Sequence, residues 1–227
     1  MVRIKKRWEP KELTEFKKKG HISYNSLDIG ECAAVKRKIQ ESLCDEQFGL
    51  CAYCMTSIYP DTMRIEHFIP QSDSDLGAIK SLDYKNMLGV CDGGERFNTE
   101  GGLSGNKNYS CDARKGNKTL SLNPSVEEQF NQMKIYYSSD GKIHSDCQTV
   151  DFETELNDVL NLNVLRLVNK RKAAKQSVIH FIEKHRRCTA AQKEEKIRSL
   201  QTPRNGRLPA FYAVSVFFYE KICKVTD

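Results

Sequence analysis

No stretch of about 18 consecutive apolar residues occurs in the 227-residue chain, so no transmembrane helix is expected. The first residues, MVRIKKRWEPKEL, carry basic side chains but lack the apolar core of a secretion signal. A cytoplasmic protein is therefore expected. No internal repeat and no long low-complexity segment is visible, which sets aside a repeat array. A paired-cysteine framework is also missing. The nine cysteines are an odd number, and in a cytosolic chain they argue against structural disulfides. Some of these thiols need another explanation, and a metal ion is the first candidate.

What is present is sufficient for a core. Hydrophobic residues make up 39% of a length suited to one medium domain, or to one small and one helical domain. The formal charge of +6 and pI near 8.8 fit an acidic partner such as nucleic acid, although mild basicity alone is common.

Four regions can be read along the chain. Residues 1–48 comprise a basic arm and an amphipathic helix. The arm, residues 1–30, carries Arg3, Lys5, Lys6, Arg7, Lys11, Lys17, Lys18 and Lys19 around Trp8 and Phe16. Its alternatives are a loosely ordered solvated segment and a phosphate or partner contact. Over 31–48, Cys32, Val35, Ile39 and Leu43 recur at helical spacing with Lys36, Arg37, Lys38 and Glu41 facing out, and Gly49 ends the pattern. Residues 49–125 hold the chemistry. Residues 126–147 contain a β-hairpin, MKIYYSSDGKIHS, with its turn at Ser138–Gly141. Residues 148–227 are helical: an apolar periodicity over 163–187, a charged exposed helix over 189–201, and an aromatic final helix from Phe211 to Ile222. The last reads as core, with an interface to a partner as the alternative. His180 and His185 lie among Lys184, Arg186 and Arg187, on a solvated or nucleic-acid-facing surface.

The pair Cys51-Ala52-Tyr53-Cys54 is a CxxC just after a helix. Two thiolates at this spacing reach one metal across a tight turn, and a tetrahedral zinc site needs two more ligands. The next thiols are Cys91 and Cys111, separated by 19 residues rich in glycine and asparagine that read as an exposed loop. A thioredoxin-like redox pair is the rival for Cys51 and Cys54, but its βαβ context is absent. Cys32 and Cys44 read as packing residues on the helix, and Cys147, Cys188 and Cys223 lie outside the cluster.

Between these thiols stands MRIEHFIPQS, an apolar run that carries Glu66 and His67. A strand-end salt bridge with a satisfied histidine would be the ordinary explanation. Asn86 follows in DYKNMLGVC, and then CDARKGNK. In this order, CAYC, IEHFIP, YKNMLGVC and CDARKGNK resemble an HNH endonuclease of the ββα-metal type over roughly residues 50–125. QFGLCAYC, IEHFIPQS, LNLNVLRLVNKR and LPAFYAVSVFF together resemble the HNH subunit of Septu and retron-associated antiphage systems. The resemblance implies an α+β fold: a ββα-metal core with a four-cysteine zinc site, flanked by an N-terminal helix and a C-terminal helical region. It also implies a bacterial cytoplasmic effector paired with an ABC-type ATPase, and in retron versions with a reverse transcriptase and its RNA–DNA product.

Phosphodiester hydrolysis needs a base for the attacking water, charge neutralisation at the phosphoryl oxygens and help for the leaving alkoxide. The expected roles follow. His67 is the general base. Glu66 and Asp112 hold Mg²⁺ or Mn²⁺, a hard cation for which one or two carboxylates suffice. Asn86 braces the loop around the histidine. Lys115, one turn after Asp112, binds substrate phosphate, with Arg114 and Lys118 extending the patch. Arg96, Lys107 and Tyr109 in the 92–110 insertion offer further contacts. Glu66 stands where the wider family more often has Asp, and Asp112 where it often has His or Asn. Cys91 and Cys111 are expected to complete the zinc site with Cys51 and Cys54, although the insertion between them is the largest departure from the family pattern. The substrate, DNA or RNA including tRNA, is not fixed. The competing expectations are a zinc-stabilised nucleic-acid-binding or adaptor module without catalysis, and a thiol redox protein.

Overall fold

The computed structural model describes residues 1–20, 23–28, 30–96, 108–185 and 189–222, apart from the side chain of Glu31. The fold is mixed α+β, with two small two-stranded antiparallel sheets among its helices. Among the described residues no helix is long and apolar enough to cross a membrane.

The described part of the N-terminal arm packs onto the rest of the protein, contrary to the reading of a loose segment. Ile4 is buried and its amide donates to the Pro124 carbonyl. Helix α1 then spans Lys11–Lys18, with Pro10 at its N-cap and Leu13 and Phe16 buried. Proline suits this position, because the first helical amides have no intrahelical acceptor. Two apolar residues three apart are enough to dock so short a helix, but too few to show above its run of lysines. Helix α2, Ala33–Glu46, buries Ile39, Leu43 and Cys44, as the periodicity predicts.

Strands β1, Arg64–His67, and β2, Met87–Val90, pair antiparallel with Glu66 opposite Leu88 and His67 opposite Met87. All four residues of β2 are buried, because α2 covers it on one side. Gln47, at the end of α2, ties itself to this strand. Its Nε2 donates to the Gly89 carbonyl at 2.7 Å, and its Oε1 accepts the Gly89 amide at 2.7 Å. Position 89 is tight: a Cβ there would lie 2.8 Å from Met63 Cε and 3.2 Å from Gln47 Nε2, so a larger residue would displace the Met63 side chain. The connection between the strands contains the short helix α3, Gly77–Lys80. After the insertion comes the one-turn helix α4, Asp112–Lys115.

Helix α5, Glu127–Gln132, leads into the second hairpin, β3 Ile135–Tyr137 and β4 Ile143–Ser145, within the stretch expected from sequence. Gly141 closes its turn with φ of 82°. Helix α6, Phe152–Thr154, runs on into a π-helical turn, Glu155–Val159. Three helices complete the chain: α7 Leu165–Lys184, α8 Ala190–Gln201 and α9 Tyr212–Ile222. The π turn apart, these helices follow the sequence expectation. Helix α8 buries no residue, and α9 buries Val214, Val216, Phe218 and Tyr219 against α7 and the hairpin. Arg171, buried on α7, donates to the Gly141 and Leu162 carbonyls and to Asn163 Oδ1, so it locks the hairpin turn to the helix. Cys188 and Cys223 lie outside the described residues.

Candidate functional site

Cys51 and Cys54 sit on a tight turn after α2. The Cys51 amide donates to the Thr56 carbonyl, the Met55 amide to the Cys51 carbonyl, and the Thr56 amide to Cys54 Sγ at 3.5 Å. Cys91 immediately follows β2, and Cys111 caps α4. The 19-residue separation does not keep them apart, because the loop is closed at its base. The Ser110 amide donates to the Gly93 carbonyl, and Arg166 from α7 bonds both the Gly93 carbonyl and Ser110 Oγ. Cys111 is further fixed by its amide bond to the Leu160 carbonyl at 2.9 Å. Its φ of 56° is in the left-handed region, which costs a non-glycine residue about 1–3 kcal/mol and persists only where the surroundings enforce it.

All four sulfurs are buried and lie within 4.8 Å of one another. Cys51–Cys111 is 3.9 Å, and Cys54–Cys91 and Cys91–Cys111 are each 3.7 Å. Four sulfurs at about 2.3 Å from one tetrahedral zinc are separated by roughly 3.8 Å. The donor set and its spacing therefore fit a metal ion such as zinc. The structure thus brings together the four cysteines expected from the sequence.

A second polar cluster lies beside the first. Successive side chains of a strand point to opposite faces, so Glu66 and His67 look into different surroundings although both are buried. Glu66 Oε1 receives the Lys115 ammonium at 2.7 Å and the Tyr53 hydroxyl at 3.1 Å. Its Oε2 takes part in neither contact. Burial, and the Asp112 carboxylate beside it, push the Glu66 carboxyl up to about 8 against the opposing effect of Lys115. Burial also pushes the Tyr53 hydroxyl well above its usual range, so it is a proton donor to Glu66. Asp112 is half-buried, with Arg64 at 3.8 Å, and Arg64 also pairs with Glu95.

His67 is held by the connection between the two strands. Its Nε2 is 2.8 Å from the Ser81 carbonyl, which can only accept, so Nε2 carries the hydrogen and Nδ1 carries the lone pair. The Gln71 amide group is 3.5 Å from Nδ1. The ring of Tyr24 meets the imidazole edge-on at 4.6 Å. Burial lowers the His67 pKa and favours the neutral ring. Asn86 braces this connection as expected. Its Oδ1 accepts the Ile69 amide at 2.8 Å, and its Nδ2 donates to the Ile69 and Lys80 carbonyls at 3.0 and 3.1 Å.

The structure thus brings Glu66, His67, Asn86, Asp112 and Lys115 to one end of the β1–β2 hairpin. Lys115 departs from the sequence expectation. Its side chain is fully buried, with Nζ on Glu66 and 3.3 Å from the His67 carbonyl, instead of presented to a phosphate. An i, i+3 relation to Asp112 does place it on the same helix face, but that face turns inward. Arg114 is half-buried, Lys118 and Arg96 are exposed, and Lys107 lies outside the described residues. Sequence reasoning missed Tyr53, Tyr24, Arg64 and the Ser81 carbonyl. Tyr53, inside the CxxC, carried a faint signal as an aromatic hydroxyl between two metal-ligand candidates; the others carried none.

No protein-family model matches the chain, and no curated protein matches it.

Proposed function

We propose that the chain is a metal-dependent endonuclease of the HNH, ββα-metal kind, hydrolysing phosphodiester bonds of DNA or RNA. The observation that carries this reading is a neutral, oriented histidine on β1 next to a buried carboxylate that shares its surroundings with Asp112 on α4. Two carboxylates this close are unfavourable when both are ionised, and here Lys115 and the raised Glu66 carboxyl relieve part of that repulsion.

The chemistry follows from the atoms present. His67 Nδ1 takes the proton of a water molecule whose oxygen forms the new bond to phosphorus. The bond from phosphorus to the 3′ oxygen breaks, leaving a 5′-phosphate and, after protonation, a 3′-hydroxyl. Glu66, through Oε2, and Asp112 are hard oxygen donors suited to Mg²⁺ or Mn²⁺. Such an ion would neutralise phosphoryl charge and stabilise the departing oxygen. Lys115 holds Glu66 in place and supplies part of the neutralising charge. Ser81 and Asn86 keep the imidazole aimed, the first by its carbonyl and the second through the backbone of Ile69. Arg114, Lys118 and Arg96 are the candidate phosphate contacts.

The sequence resemblance alone supports the wider part of the proposal. In it, the chain is the effector subunit of a Septu-like or retron antiphage complex with an ABC-type ATPase, and tRNA is among the possible substrates. The second reading is a zinc-stabilised nucleic-acid-binding or adaptor module without catalysis. The Lys115–Glu66 pair favours it, because a buried ion pair of this kind also serves as a purely structural contact.

The deciding experiment expresses wild type and His67→Ala with and without the neighbouring ATPase gene, then sequences the ends of cellular DNA and RNA. New 5′-phosphate ends that depend on His67 are expected. Cleavage that persists in both His67→Ala and chelator would sink the nuclease reading, and binding without cleavage across substrates and metals would favour the adaptor.

A further inference from the structure

The three C-terminal helices line an open groove of about 530 Å³ that the proposed nuclease chemistry does not use. It lies at the far end of α7 from the cysteine cluster. Arg166 anchors one end of that helix to Gly93 and Ser110, whereas Phe181 is 15 residues further on, roughly 22 Å along the axis. The volume falls within the range of small-molecule sites, about 300–1,000 Å³.

Its walls are of two kinds. Phe181, Tyr219, Leu200 and Val178 form an apolar, partly aromatic floor, with the Phe181 and Tyr219 rings 5.8 Å apart and nearly perpendicular. His180, Lys184, His185 and Lys196 form the rim, and no carboxylate is among the described residues that line the groove. Several lysines elsewhere in the protein are balanced by an acidic partner. Lys6, Lys17, Lys36, Lys80 and Lys115 each pair with a carboxylate. Neither Lys184 nor Lys196 forms an ion pair with a carboxylate among the described residues. Lys196 instead sits 4.9 Å over the face of Phe181. The His185 ring lies 4.3 Å from the Phe181 ring, its Nδ1 bonded to the Phe181 carbonyl, so Nε2 is left for another partner. A cavity of about 350 Å³ beside the exposed Trp8 is less suited to an anion, because Glu9 and Asp83 form part of its wall.

We propose that this groove binds a nucleoside phosphate. The nucleobase packs against the apolar wall of Phe181, Leu200 and Tyr219, taking the place of Lys196 beside Phe181, and the phosphate oxygens meet the lysine ammoniums of the rim. Two sources carry this chemistry, a free nucleotide and the terminal nucleotide of a nucleic-acid strand. A neighbouring cavity shares Lys196 and Leu200 and adds Arg204 and Arg207, so the positive wall continues where a longer strand would run.

The test is calorimetric titration of the full zinc-loaded chain with ATP, with inorganic triphosphate, and with short oligothymidylates bearing either a 5′-phosphate or a 5′-hydroxyl. ATP binding tighter than triphosphate is expected. Lys184→Glu and Lys196→Glu should each weaken ATP binding roughly tenfold or more, with the circular dichroism spectrum unchanged. Phe181→Leu should narrow the gap between ATP and triphosphate. Displacement of ATP by the 5′-phosphorylated strand alone assigns the site to strand ends, and no displacement by either strand assigns it to free nucleotide. Equal binding of ATP and triphosphate, binding unaffected by the rim substitutions, or no binding at millimolar ligand would overturn the proposal. His67→Ala leaves this binding unchanged, so the outcome is independent of the nuclease reading.

Discussion

Two buried polar clusters lie within a few residues of each other, and they solve the problem of burial in opposite ways. The cysteine cluster consists of four donors and contains no cation of its own. The Glu66–Asp112 cluster brings its own cation in Lys115, whose ammonium lies 2.7 Å from Glu66. The first can lose its protons only if a metal replaces them, because four buried thiolates without a cation would repel one another. The second is partly neutralised within the protein. Closeness of ligand-type residues is therefore a different statement in the two places. For the thiols it is a donor set that could hold an ion such as zinc, and for the carboxylates it is a cluster that already contains a cation. Tyr53 connects them, since it stands between Cys51 and Cys54 in sequence and donates to Glu66 in space.

The sharpest way to break the comparison is to remove a thiol. Cys54→Ser or Cys111→Ser should abolish stoichiometric zinc in elemental analysis and leave the chain unfolded or aggregated. Structural zinc contributes about 10–16 kcal/mol of apparent binding energy in small zinc domains. One equivalent of zinc retained by both variants would remove the cysteine cluster from this role. Next in size is His67→Ala, expected to lower the cleavage rate by about 10²–10⁴ with zinc content preserved.

Lys115→Met tests the internal cation directly. Removing one partner of a buried pair costs about 3–5 kcal/mol, and here it leaves two adjacent carboxylates facing each other. The melting temperature should fall by many degrees and recover in part when Mg²⁺ or Mn²⁺ is added. A destabilised variant indifferent to divalent ions would mean that the carboxylates accept no metal. Tyr53→Phe should be the mildest change, about 1 kcal/mol, since it removes a single hydroxyl contact to Glu66. Thermal melts at matched zinc loading would measure it, and a loss as large as that of Lys115→Met would show that the two clusters are one cooperative unit.

The legibility of these features in the sequence follows their range. Helix α2, the 135–145 hairpin and helices α7 to α9 could be read because their apolar periodicity is local and strong. Helix α1 escaped notice, since only Leu13 and Phe16 dock it and lysines fill the rest. Cys51 and Cys54 announce themselves by spacing, whereas Cys91 and Cys111 become partners only because Gly93 and Ser110 close the intervening loop. Lys115 could be placed on the face of Asp112, but not inside the protein. Its burial depends on Glu66, which is 49 positions away in sequence.

By itself, then, the sequence determined the candidate donors: four thiols that could hold a metal ion, two carboxylates and a histidine close to one another in order, and a basic, aromatic C-terminal region. These are properties of residue type and short spacing, which chain order preserves. Only the tertiary structure decided which donors meet, which nitrogen of His67 is free, and that Lys115 faces inward. Those outcomes depend on hydrogen bonds and ion pairs between segments tens of residues apart. Their energies are set by burial and by the geometry of the partner, and neither is written in the local order of residues.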